Sequence, residues 1–156
     1  MRRGILVAGA VAIAAALGAG AAWRGLGGPA SKGAASPATL ALGAALYAER
    51  CAACHGAELE GQPDWQRRLP SGRLPAPPHD ASGHTWHHAD SVLVRITREG
   101  PAAVVGGAYE SDMPGFADVM TDDEIEAVLA FIKSTWPERE RAVQEQVSIA
   151  DQAGAP

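Results

Sequence analysis

Apolar positions recur at helical spacing in two long stretches of this chain, one on each side of an irregular middle. In the first, Leu40, Gly43 and Tyr47 fall on one face, which predicts a helix over residues 39–50 running directly into Cys51. In the second, Ile125, Val128, Leu129 and Ile132 form one apolar stripe. Thr121 and Glu124 have the spacing of a capping box and set the start of that helix. Pro137, directly after Trp136, sets its stop. A shorter helix over residues 91–98 is predicted between Asp90 as N-cap and Gly100-Pro101 as terminator. No stretch reads as a convincing strand and no internal repeat is present, so the fold class predicted is all-α.

The middle, residues 56–89, has no sustained period and holds five prolines: Pro63, Pro70, Pro75, Pro77 and Pro78. It reads as a long loop. A loop of this length inside a compact domain is usually functional, and a cofactor beneath it would give it something to wrap. A second loop is expected to follow Gly100-Pro101 and run through Gly106-Gly107 to Phe116. The polar tail after Pro137 is expected to extend as a frayed helix.

The chain opens Met-Arg-Arg, and Gly4 to Trp23 then carry no charged side chain. Twenty such residues make a helix of about 30 Å, enough to cross a hydrocarbon core. Arg2 and Arg3 put its start on the cytoplasmic side. The length of the run predicts a membrane anchor. Its many alanines and glycines, with Ala19-Gly20-Ala21 as a small-residue cleavage site, fit a cleaved signal peptide instead. Both readings put the remainder on the periplasmic side of the cytoplasmic membrane. The organisation predicted is an export segment over 1–24, a Gly-, Ala-, Ser- and Pro-rich flexible linker over 25–37, a domain over 38–136 and a polar tail over 137–156.

Composition narrows the function. Aromatic residues make up 5% of the chain, so a core built from side chains alone would be thin, and a large buried cofactor would supply the missing apolar volume. The formal charge is −5; without Arg2, Arg3 and Arg24, ten basic residues face eighteen acidic ones and the remainder carries −8. That balance speaks against nucleic acid as a partner, which calls for a basic face.

Only two cysteines are present, Cys51 and Cys54. A disulfide closing so short a loop would gain little chain entropy, so the pair needs a chemical explanation. Cys51-Ala52-Ala53-Cys54-His55 has the C-x-x-C-H form that attaches a c-type haem. Two thiols three positions apart on one helical turn can add to the vinyl groups along one porphyrin edge. The next residue then points its imidazole at the iron. A thioredoxin-like dithiol would want a preceding strand and a βαβ setting. A structural zinc site would want a second pair of cysteines.

A six-coordinate haem that carries electrons needs methionine or histidine as its second axial ligand. Met1 is the initiator, and Met120 directly precedes the capping box. Met113 lies in the irregular stretch Ser111-Asp112-Met113-Pro114-Gly115-Phe116, where Pro114 stiffens the backbone beside it. Met113 is therefore the candidate, with an axial histidine as its rival. His84-Thr85-Trp86-His87-His88 places three histidines in five residues. They could bind copper or zinc, replace Met113 as ligand, or simply form a polar loop entering the next helix.

With these features together, residues 39–136 resemble a class I c-type cytochrome of the mono-haem family. The resemblance rests on a first helix carrying Gly43 and Tyr47, the C-x-x-C-H run, a proline-containing loop, the Met113 segment and a last helix carrying Phe131. It implies an all-α domain around one covalently attached haem c, with His55 and Met113 as axial ligands of the iron. It implies that the terminal helices cross at Gly43, facing Val128 and Phe131. It also implies that a proline carbonyl accepts the Nδ1 hydrogen of His55; Pro77 and Pro78 both qualify, and Pro77 is favoured. Trp86 or Trp65 would donate to a haem propionate or fill space. Arg67, Arg68 and Arg73 would neutralise propionates or form a solvated basic patch. The function implied is single-electron transfer between redox-protein donor and acceptor, not catalysis. The alternatives are a haem-bearing subunit of a redox enzyme with an open iron site, and a copper-handling module built on His84, His87 and His88.

Overall fold

The computed structural model describes residues 35–154. The expected export segment over 1–24 lies outside the described residues, as does the linker up to residue 34. The elements in chain order are α1 (Pro37–Arg50), α2 (Ala52–His55), a 3-10 turn (Thr85–His87), α3 (Asp90–Glu99), α4 (Pro101–Val105), α5 (Asp122–Ser134) and α6 (Glu138–Gln152). Among the described residues there is no strand, and the fold is all-α as expected. No helix among them is long and apolar enough to cross a membrane.

Two helices form the frame. Ser36 caps α1 by accepting the Thr39 N–H at 3.1 Å, and Pro37 follows at the first helical position, where its missing N–H costs nothing. In α5 the Thr121 Oγ1 accepts the Glu124 N–H at 3.3 Å, while the Glu124 carboxylate accepts the Thr121 N–H at 2.8 Å. The stripe of α5 (Ile125, Val128, Leu129, Ile132) is buried with Leu46 and Tyr47 of α1, Leu93 of α3, Met120 and Trp136.

Helices α1 and α5 meet at Gly43. A Cβ there would lie 2.6 Å from the carbonyl carbon of Ala127, closer still to its oxygen, and 2.9 Å from the Phe131 Cβ. Phe131 stands where expected, with the Ala127 backbone carbonyl closest to Gly43. Val128 is buried in the core at 2% exposure, and the missing Cβ of Gly43 is what lets the two backbones approach.

Three local expectations are corrected. Asp90 is the first residue of α3, and Ala89 holds the N-cap position. The Asp90 carboxylate instead accepts from Lys133 Nζ at 2.7 and 2.9 Å and from Gln144 Nε2 at 2.6 Å, while still placing an acid in the first turn. Pro101 does not open a loop but starts α4, directly after Gly100 has ended α3. The tail is not frayed: α6 is a regular helix that buries Glu140, Gln144 and Ser148. Gln144 is 2% exposed and donates to Asp90 and, at 2.9 Å, to Ser148 Oγ, which also accepts the Asp90 N–H at 3.0 Å. The buried stripe of α6 is polar and repeats every four residues, so a hydrophobic pattern could not announce it.

Candidate functional site

The C-x-x-C-H run forms a single helical turn. The N–H of Cys54 and of His55 both reach the Cys51 carbonyl, at 3.1 and 2.9 Å. Tyr47, four residues before Cys51, is 2% exposed and donates its hydroxyl to the Gly56 carbonyl at 2.9 Å, fixing the turn's exit. Both cysteines are free thiols, Cys51 half-buried and Cys54 exposed. Burial pushes the Cys51 thiol up to about 11, against the opposing pull of Arg50, so it stands protonated at neutral pH.

His55 is 6% exposed, and its Nδ1 lies 2.8 Å from the Pro77 carbonyl oxygen. A carbonyl can only accept, so Nδ1 carries the hydrogen and Nε2 keeps its lone pair. Burial holds His55 below the ordinary histidine range, although the Pro77 bond opposes that shift; the neutral ring is the favoured form. Pro77, not Pro78, makes this bond, and its position is gripped by the chain around it. Gly61, at φ +69°, lies so close that a Cβ on it would be 2.7 Å from the Pro77 carbonyl carbon. Gln62 clamps the preceding residue with two bonds: its N–H reaches the Ala76 carbonyl at 2.9 Å, and its side-chain oxygen accepts the Ala76 N–H at 3.0 Å. The proline-rich loop is thus stapled beneath the histidine.

His79 joins this group although no sequence argument singled it out. Its ring stacks on His55 with centroids 4.0 Å apart. Its carbonyl accepts the indole N–H of Trp136 at 2.7 Å. Burial, reinforced by His55 and His84, pushes its ring down to about 3.

Met113 is half-buried in the segment between α4 and α5, with its N–H on Ser111 Oγ at 3.1 Å. That segment is tied to the end of α3, where Phe116 N–H reaches the Thr97 carbonyl at 3.0 Å and Ala117 N–H the Arg98 carbonyl at 3.1 Å. Met120 is 6% exposed and packs in the core. Arg73, in the proline-rich loop, pairs with Glu110 at 3.3 Å and with Asp112, the neighbour of Met113. Arg68 lies over the Tyr109 ring at 6.0 Å. These two arginines link the loop to the methionine segment, and Arg67 is exposed.

Neither tryptophan expected near a propionate is free of loop contacts. Trp86 donates its indole N–H to the Ala81 carbonyl at 3.3 Å and lies against His87, and Trp65 stacks on His84. His84 and His88 meet edge to face at 5.4 Å, and burial lowers both below the usual histidine range. Among the described residues no group of three or more His, Cys, Asp or Glu side chains is arranged to hold a metal ion. Of the three histidines considered for copper or zinc, His84 stacks on Trp65 and His87 lies tilted against Trp86.

The donor set fits a haem c. Two free thiols sit on one turn, beside an imidazole whose Nδ1 is occupied and whose Nε2 is open. Comparison with curated proteins and with solved structures finds no match. The family model described as Cytochrome c matches residues 40–136, and with that match over more than half its length the chain belongs to the cytochrome c family, whose members hold haem c covalently and transfer electrons.

Proposed function

We propose that this chain carries one haem c and shuttles single electrons between other redox proteins, with His55 and Met113 as the axial ligands. The observation that carries the reading is the bond from His55 Nδ1 to the Pro77 carbonyl, which leaves Nε2 as the open nitrogen beside Cys51 and Cys54. Haem bound there supplies the one-electron ferric–ferrous couple. Cys51 and Cys54 hold it by thioether bonds, Pro77 orients and strengthens the His55 ligand, and Met113 offers a soft, neutral thioether that favours the ferrous state and raises the potential. Trp86 would contribute to the haem environment by packing, since its N–H is used within the loop.

Two measurements test this. Acid-acetone extraction of denatured protein should leave the haem on the polypeptide; haem leaving with the solvent would refute thioether attachment. Met113→Ala should open the iron, lower the potential and allow carbon monoxide to bind the reduced protein. Met120→Ala should instead cost about 2–5 kcal/mol of stability through a core cavity, with ligation unchanged. A six-coordinate low-spin spectrum and an unchanged potential in Met113→Ala would remove Met113 as ligand, and His84, His87 or His88 would be tested next.

The location proposed is the periplasmic side of the cytoplasmic membrane, with the uncharged run Gly4 to Trp23 as anchor. Mass spectrometry of protein from its native membrane should find that run attached. A mature N-terminus near Ala22 would rule out the anchor and leave export intact.

A further inference from the structure

His79 takes no part in attachment or ligation, yet it is built into the site more firmly than any of the arginines. Its ring lies face to face with His55, with centroids 4.0 Å apart and planes within 23°. The His55 side chain has two torsions, and the second, at an sp³–sp² bond, is broad and roughly two-fold. The hydrogen bond to Pro77 is one constraint on those two angles. It places Nδ1 but leaves the plane of the ring loosely set. A flat wall against one face supplies the second constraint.

For His79 to act as that wall it must itself be fixed, and it is held at three points. Its backbone N–H reaches the Leu59 carbonyl at 2.7 Å. Its carbonyl accepts the Trp136 indole N–H at 2.7 Å. Its ring Nδ1 lies 2.9 Å from Thr85 Oγ1, on a threonine 6% exposed. Tyr47 stands edge-on to the ring at 6.2 Å. An aliphatic side chain of similar size would fill the space but present no plane.

We infer that His79 is a positioning residue that sets the ring plane of His55, and with it the plane in which the proximal imidazole meets the iron; this rests on the assignment of His55 as ligand. Thr85 holds the plate at its edge, and Trp136 brings the end of α5 to bear on the same point.

The ferric, haem-loaded protein tests this through its electron paramagnetic resonance g values and the hyperfine-shifted haem methyl resonances, both of which follow the orientation of the axial ligand planes. His79→Leu should displace the g values and redistribute the methyl resonances. His79→Phe, which restores a flat face, should return both towards wild type. Thr85→Val should displace them in the same direction as His79→Leu, by less. Wild-type g values and methyl pattern in a folded His79→Leu protein would overturn the inference, as would equal displacement in the Leu and Phe variants. If His79→Leu fails to assemble, Thr85→Val decides: a displaced pattern supports the role and a wild-type pattern refutes it. The ligand assignment is judged separately. It fails if wild-type protein lacks the low-spin spectrum of an imidazole-ligated haem, whereas a wild-type spectrum with insensitive variants sinks only the role of His79.

Discussion

Replacing Gly43 by alanine adds one carbon atom at the helix crossing, and two effects then oppose each other. Alanine in a helix interior is favoured over glycine by about 1 kcal/mol. Against this, the new Cβ would stand 2.6 Å from the Ala127 carbonyl carbon and 2.9 Å from the Phe131 Cβ. Overpacking typically costs about 1–3 kcal/mol. The obstructing atoms decide which effect wins. The Ala127 carbonyl is backbone and the Phe131 Cβ is fixed to it, so no side-chain rotation relieves the contact. Only moving α1 away from α5 can do so, and that loosens Leu46, Tyr47 and Val128 together. The cost therefore belongs at the upper end of the range, and the net loss expected is about 2 kcal/mol. For a domain of this size that is a fall in Tm of roughly 6–10 °C. Thermal unfolding of the haem-loaded ferric protein, followed by far-ultraviolet circular dichroism, measures it. Gly43→Val should deepen the loss. A Gly43→Ala protein that melts at or above the wild-type temperature would mean that helix propensity prevails and that the crossing is not this close.

Two further outcomes are expected. Thr121→Ala should lose about 1 kcal/mol, the usual worth of an N-cap, seen as a lower denaturant midpoint with an unchanged slope. It should also reduce the acid dependence contributed by Glu124, whose carboxyl is held below its ordinary value first by the Thr121 backbone N–H, which alanine keeps, and then by the Thr121 hydroxyl, which it removes. The sign is that of a depressed acid: its stabilisation is present above the unfolded value and is lost as pH falls through the folded one, so an undiminished acid dependence in the variant would count against the capping box. Gln144→Ala should cost about 1–3 kcal/mol by removing a buried amide and its bonds to the His88 carbonyl, to the part-exposed Asp90 carboxylate and to Ser148. It should also speed proteolysis within α6, and unchanged stability together with unchanged cleavage would show that α6 does not depend on this contact.

What the sequence made legible was local. The capping box, the apolar stripe of α5 and the all-α class follow from residues within a turn or two of one another. The start of α3 was misplaced by one residue because Asp90 is a good cap by type, and only the fold shows its carboxylate engaged by Lys133 and Gln144. Helix α6 was missed as a packed element because its buried positions are Glu140, Gln144 and Ser148. A polar stripe carries no hydrophobic signal, and its stabilising partners lie more than fifty residues away in sequence, Asp90 and Gln144 being separated by 54.

The site divides along the same line. Cys51, Cys54 and His55 are adjacent, so their chemistry can be read from spacing alone. Pro77 is 22 residues from His55, and only the family resemblance connected the two before the geometry did. His79 had neither advantage. It belongs to no short motif, and the contacts that fix it come from both ends of the domain: Leu59 near the cysteines, Thr85 at the entry to α3, and Trp136, separated by 57 residues, at the end of α5. One signal was nevertheless available. A histidine two residues after the proline favoured as acceptor for His55 is held near that imidazole by chain length alone, whatever the loop does elsewhere. The three clustered histidines draw notice by their number, but His84 and His87 lie against Trp65 and Trp86 and not against His55. The isolated histidine beside the proline is the one the fold brings into contact with His55, because a side chain's distance from an anchored group constrains it more than its company in sequence does.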